Sequence, residues 1–194
     1  MDQLHYDAQF PSHTPAAMPR LPYVPADLAE PKEVVDAVRK RRGGTLLNLD
    51  RQLLHSPPLA QGWNALLGAV RGSMLLSPRL RELAMCGVAV LNGAEYEYVH
   101  HAPLLRAAGA GAEQVAALRD IDRAAADTVL FDDADRAVLR LIIEMTRNVQ
   151  VDDATFAAAR TVVPDDRQML ELIATIAAYN MVSRILVAID VQPE

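Results

Sequence analysis

Leu80-Arg81-Glu82-Leu83-Ala84-Met85-Cys86-Gly87-Val88-Ala89-Val90-Leu91 is the most apolar run of the chain, and Asn92-Gly93-Ala94-Glu95-Tyr96-Glu97-Tyr98-Val99-His100-His101 follows it directly. A segment that is apolar on nearly every side reads as a buried helix. Ser77-Pro78 ahead of it supplies an N-cap and a proline for the first turn. Asn92-Gly93 is a turn or kink signal. A second helix is expected from about Ala94 to Ala108, ending at Gly109, with Pro103 inside it as a possible kink.

Working outward, the same helical grammar recurs. Val34, Val35 and Val38 form a stripe closed by Gly43-Gly44, and a short helix is expected over Leu46 to Leu54. His55-Ser56-Pro57-Pro58 reads as a break before a helix over Leu59 to about Leu75, with Trp63, Leu66, Leu67 and Val70 on one face. Short helical signals follow at Ala112 to Leu118. Asp132-Asp133 caps a helix from about Ala134 to Arg147, and Asp152-Asp153 caps one to Val162. Pro164-Asp165-Asp166 opens the longest, over about 166–190. Nothing alternates with period two, so no sheet is expected. Hydrophobic residues make up 51% of the 194 and aromatics 5%, a balance that favours helix packing. The predicted fold is a single all-α helical bundle over residues 32–194, preceded by an extended arm over 1–31. That arm holds six of the twelve prolines, and Leu21, Tyr23, Val24 and Leu28 suit it to lie on a surface.

A net charge of −6 argues against a nucleic-acid binder. The basic run Arg39-Lys40-Arg41-Arg42 fits a helix C-terminus. The lone Cys86 permits no intrachain disulfide. The first residues lack a signal-peptide pattern, and no long unbroken apolar stretch suggests a membrane span. A cytoplasmic chain with no membrane partner is expected.

Ionisable residues on apolar helices need partners. On one continuous helix, positions 82, 86, 90, 93, 97 and 101 would share a face, bringing Glu82, Glu97 and His101 together. Glu97 and His101 stand i,i+4, within hydrogen-bonding reach, an arrangement suited to proton transfer. An inert surface Glu/His pair shows the same spacing.

The stretches Arg81-Glu82-Leu83-Ala84, Leu91 to His101 and Ala107-Ala108-Gly109 resemble the carboxymuconolactone decarboxylase and alkylhydroperoxidase D-like family. So do His55-Ser56-Pro57-Pro58-Leu59 with Trp63 and Leu66, and Tyr179-Asn180-Met181 with Arg184. The resemblance spans about residues 20–190. Peroxidase members carry a Glu, a Cys-x-x-Cys twelve residues on, and a His four residues after the second Cys. The Glu falls on Glu82 and the His on His101, but the two Cys positions hold Ala94 and Glu97. Thiol peroxidase chemistry needs an attacking and a resolving thiol, so it does not carry over. Acid/base chemistry like that of the decarboxylase side does, implying a cofactor-independent lyase or isomerase acting on a small organic acid or lactone. Glu82, Glu97 and His101 are then the catalytic candidates, and a buried Glu82 would have a raised pKa. His100, Tyr98 and Arg184 are candidates for substrate binding, with Arg81 and Arg106 as further cations for an anionic substrate. Three other readings stay open: a divalent-ion site using Glu82, Glu97, His100 or His101, a non-catalytic or ligand-binding member, and a peroxidase using Cys86. No resident metal or cofactor is expected. The resemblance also implies a homo-oligomer (dimer, trimer or hexamer), with the arm crossing a subunit boundary.

Overall fold

The computed structural model describes residues 19–194, which hold ten helices: α1 (Lys32–Arg42), α2 (Asn48–Leu53), α3 (Pro57–Gly72), α4 (Pro78–Leu91), α5 (Glu95–Ala107), α6 (Ala112–Ala117), α7 (Ile121–Ala126), α8 (Asp133–Arg147), α9 (Asp153–Val162) and α10 (Asp166–Ile189). No strand occurs among the described residues. The expected readings of residues 1–18 lie outside them.

Helix α4 is the centre of the bundle. It pairs with α5 on one side and packs on α8, α10 and α7 on the others. Its residues from Leu83 to Val90 are all buried. Ser77 caps it by accepting the Leu80 amide, and Pro78 occupies its first turn, where no amide is needed. Gly87 sits where α4 comes closest to its neighbours: a Cβ there would stand 3.1 Å from side-chain atoms of both Ile121 on α7 and Ile142 on α8.

The chain turns at Asn92-Gly93, with Gly93 at φ 65°, a left-handed conformation that favours glycine. Helix α5 therefore folds back along α4 instead of extending it. The shared-face expectation for positions 82 to 101 is corrected accordingly: Glu82 and His101 meet across a helix hairpin and not along one helix. Pro103 does not break α5. Its missing amide would have served the carbonyl of Val99, a residue on the exposed face.

Other boundaries moved slightly. The expected break lies over 54–56, between α2 and α3, and Pro57-Pro58 already starts α3, since proline is well suited to the first helical turn. Leu66 is 47% exposed, off the buried face of Trp63, Leu67 and Val70. Helix α7 was not expected; Asp120 caps it by accepting the Arg123 amide. Asp132, Asp152 and Asp165 cap α8, α9 and α10 in the same manner.

By length and composition α10 could cross a membrane. In the bundle its Leu172, Thr175, Ile176, Tyr179 and Ser183 are fully buried against α4, α8 and α3, the pattern of a core helix. Residues 19–31 of the arm lie on the chain's own surface. Gln52 and Arg51 of α2 donate to the carbonyls of Leu21 and Val24, at 2.7 Å each, and the Arg20 amide donates to Ile189 O at the end of α10.

Candidate functional site

Three helices converge on His101. Its Nδ1 lies 2.6 Å from Glu82 Oε2 on α4. Its Nε2 lies 2.9 Å from a terminal guanidinium nitrogen of Arg71 on α3 and 3.0 Å from the Tyr179 hydroxyl on α10. Arg71 Nε donates to the same hydroxyl at 2.8 Å. These contacts settle the imidazole's tautomer. A guanidinium can only donate, so Nε2 carries the lone pair, and Nδ1–H donates to the Glu82 carboxylate. The ring is neutral: burial drives its pKa down to about 4, although Glu82 pulls it the other way.

Glu82 reverses its expected shift. Burial pushes its pKa up, but hydrogen bonds from His101 and from Arg81 Nε outweigh burial and hold it below the usual value. Glu82 therefore stays ionised and orients His101. Arg71 is half-buried and makes no salt bridge with any described residue; Tyr179 and Glu82 offset the cost of burying its charge.

Glu97 does not bond to His101, which corrects the i,i+4 pairing. It faces α10, where Ser183 Oγ donates to its Oε2 at 2.5 Å. Its other oxygen, Oε1, is buried with no hydrogen-bond partner. Burial raises its pKa to about 8, so the carboxyl is mostly protonated at neutral pH. The group with the raised pKa is thus Glu97 and not Glu82. The reason is that burial outweighs the Ser183 hydroxyl and the field of Arg71 at Glu97, while Glu82 has two cationic or N–H donors hydrogen-bonded to it.

A cavity of about 160 Å³ opens on these groups. It is lined by Arg71, Glu97, His100 and His101, by Arg42 and Tyr96, and by leucine and valine side chains from three segments. The other nominated residues divide. His100 lines the cavity, with Nδ1 toward Tyr96 O and Nε2 2.8 Å from Glu194 Oε2. Tyr98 turns away: its hydroxyl donates to Val115 O and Arg119 stacks over its ring. Arg184 also turns away, donating to the carbonyl and side chain of Asn180. Arg81 is engaged with Glu82, and Arg106 lies exposed on α5. Two cations line the cavity: Arg42, which pairs with Asp50, and Arg71, which reaches His101. No local signal marks Arg71, because it ends a helix outside the Glu82–His101 motif. Tyr179 stood in the matched last helix without a role being assigned.

Cys86 is fully buried, and burial together with Glu82 and Glu97 pushes its thiol far above the usual range, so it offers no thiolate. Among the described residues no group of three or more His, Cys, Asp or Glu is placed to hold a metal ion. His100 and His101 diverge to Glu194 and Glu82, as neighbours 100° apart on a helix must.

Fold and site together define an all-helical bundle in which a carboxyl and a methyl group stand at the two positions where the resemblance would place a thiol pair. The carboxymuconolactone decarboxylase family matches residues 57–144, from the start of α3 into α8. No curated protein matches the chain in sequence. Solved structures do match in fold. An uncharacterised peroxidase-related protein from Ralstonia eutropha JMP134, an alkylhydroperoxidase AhpD core, has a TM-score of 0.74 at 20% identity, covering 92% of this chain and 94% of its own. A peroxidase-related protein from Silicibacter sp. TM1040 has a TM-score of 0.70 at 18% identity, covering 97% and 95%. The debrominase Bmp8, solved without ligand, has a TM-score of 0.68 at 17% identity, covering 89% and 90%.

Proposed function

We propose that this protein is a cofactor-independent acid/base enzyme acting on a small organic acid or lactone, by proton transfer leading to isomerisation or decarboxylation. The observation that carries this reading is the neutral His101, with Nδ1 fixed by an ionised Glu82 and the Nε2 lone pair held among Arg71, Tyr179 and the cavity. Nε2 takes the proton from substrate, and Glu82 stabilises the imidazolium that forms. At a pKa of about 4 the free imidazole is a weak base at neutral pH. A bound carboxylate on Arg71 shifts this upward in part, because it offsets the positive field that adds to burial in holding the imidazole neutral. Substrate binding thereby activates the base. Glu97, neutral and lining the same cavity, is the partner acid. We further propose a homo-oligomer acting in the cytoplasm, a state that sedimentation of the purified chain would measure.

The test is hydrogen–deuterium exchange at carbon, followed by NMR in D2O, across a set of small lactone acids and oxo acids. Exchange or turnover is expected with the parent protein. It should fall at least 100-fold in His101→Ala, the usual scale for losing a general base, and persist in Cys86→Ala. If no compound exchanges, or if His101→Ala exchanges as fast as the parent, the reading is wrong. Peroxide reduction that disappears in Cys86→Ser would favour a thiol enzyme instead.

A further inference from the structure

The outward faces of α3 and α10 are apolar and uncharged over most of their length. Leu59, Leu66 and Leu75 in or just after α3, with Leu170 and Met181 on α10, are each 37% to 66% exposed. Arg71 is the only ionisable residue of α3, and it turns inward to His101 and Tyr179. On α10 no charged residue is exposed between Arg167 and Arg184. Only 39% of an 18-residue apolar window of α10 is buried within the chain. The centre of the α3 face is small: Gly62, Ala65 and Ala69 are all exposed. A Cβ on Gly62 would meet open space. Glycine inside a helix is disfavoured relative to alanine, and no neighbour among the described residues requires it there. A second backbone coming close from outside would require it.

The two helices pack against each other, and their contacts step in opposite directions. Leu76, just past α3, donates to Glu171 near the start of α10, and Arg71 donates to Tyr179 further on. The pair is therefore antiparallel, and its outer faces adjoin. At 1.5 Å per residue and ~10 Å across, helices of 16 and 24 residues together present about 600 Å². That is the top of the range for an apolar patch on a monomer. It also approaches the ~600–800 Å² that each partner contributes to a stable interface. Neither helix reaches that area alone.

We propose that this surface is a two-fold interface with a second copy of the chain, α3 of one copy lying on α10 of the other. The surface is complementary to itself. The small centre of α3 receives Leu170 and Met181, and a two-fold axis makes both such contacts at once. An uncharged centre flanked by Arg167 and Arg184 matches the anatomy of a protein interface, which is depleted of charge at its core and polar at its rim. A lipid surface fits less well, because it calls for a basic polar face and the chain carries a net charge of −6. The proposal deepens the homo-oligomer reading and rests on it. Pairing also fixes the two helices that hold Arg71 and Tyr179 against His101.

Sedimentation of the intact chain and of four variants tests this. Leu66→Glu and Met181→Glu put a charge into the face, and Gly62→Lys puts bulk and charge at its centre. Val129→Glu changes a residue that is 91% exposed in a loop away from both helices. The parent and Val129→Glu are expected to form a dimer or a larger even-numbered assembly. In the other three variants the dissociation constant should rise about tenfold or more, the scale of burying an unpaired charge. Their helical circular dichroism should stay unchanged, since each replaced residue is exposed in the single chain. A monomeric parent, whether its face is bare, covered by residues 1–18 or bound to anionic vesicles, overturns both this surface and the homo-oligomer reading. A trimer, or an assembly that Leu66→Glu, Met181→Glu and Gly62→Lys all leave intact, overturns the surface alone. Mass is read without substrate, so none of these results bears on the acid/base chemistry.

Discussion

His101, Glu82 and Glu97 are all almost fully buried, yet each holds its proton differently. His101 is neutral because burial outweighs its carboxylate partner; Glu82 is ionised because two donors outweigh burial; Glu97 is protonated because burial outweighs one hydroxyl and the field of Arg71. These differences make stability depend on pH, and the signs can be worked out. Glu97 has a folded pKa near 8 against 4.5 for an ordinary Glu, so the folded state binds the extra proton between those values. Its contribution is present at low pH and is lost as pH rises toward 8. His101, depressed from 6.5 to about 4, acts in the opposite sense, and its contribution is lost as pH falls through that window. The two oppose each other between about pH 4.5 and 6.5, and above 6.5 Glu97 acts without His101. Urea denaturation of the parent should therefore show stability declining from pH 6.5 to 8. Glu97→Gln should show a smaller decline. Parallel curves for the two proteins would place the Glu97 proton elsewhere.

At the scale of elements, the α4–α5 hairpin assembles the site. Its tightest requirements are two glycines. Gly93 turns the chain at φ 65°, and Gly87 lets α7 and α8 approach α4. Gly93→Ala has open space around it, so its cost is the left-handed backbone alone, about 1 kcal/mol. Gly87→Leu must displace Ile121 and Ile142 in a packed core and is expected to cost about 1–3 kcal/mol or more. Denaturation midpoints of the two variants should fall in that order. A Gly87→Leu protein as stable as the parent would show that the helices do not pack as closely as described.

Over the whole molecule, distant parts of the chain close around the cavity. The Glu194 carboxylate accepts from the Asn48 amide at the start of α2 and from Tyr96 on α5, and it pairs with His100. His100 is raised above its usual value, mainly by the hydrogen bond to Glu194, and Glu194 is held down to about 2 against the cost of burial. Glu194→Gln removes that charge. NMR titration should then show a lower His100 pKa than in the parent, with its part of the stability decline above pH 6.5 reduced. An unchanged His100 titration would mean that the pair does not form in solution.

The sequence by itself determined the helices and the approximate register of the site. Apolar runs, aspartate caps and Gly-Gly or Asn-Gly stops are local signals, and they placed most helices to within a few residues. Pro57-Pro58 misled because proline marks a helix start as readily as a break. Glu82 and His101 were legible because the motif spacing carried them, and both proved buried and bonded to each other. Three things only the tertiary structure decided. One is the partner exchange, in which Glu97 turns to Ser183 and His101 to Glu82: spacing along a helix does not tell which neighbouring helix a side chain faces. Another is the set of proton positions, because a pKa depends on burial and on donors brought from other helices. The last is the cation: Arg71 reaches His101 from 30 residues away, while Arg81, Arg106 and Arg184, nearer to the motif or its matched helix, are engaged or exposed. Long-range packing selects one arginine among many, and no local pattern records that choice.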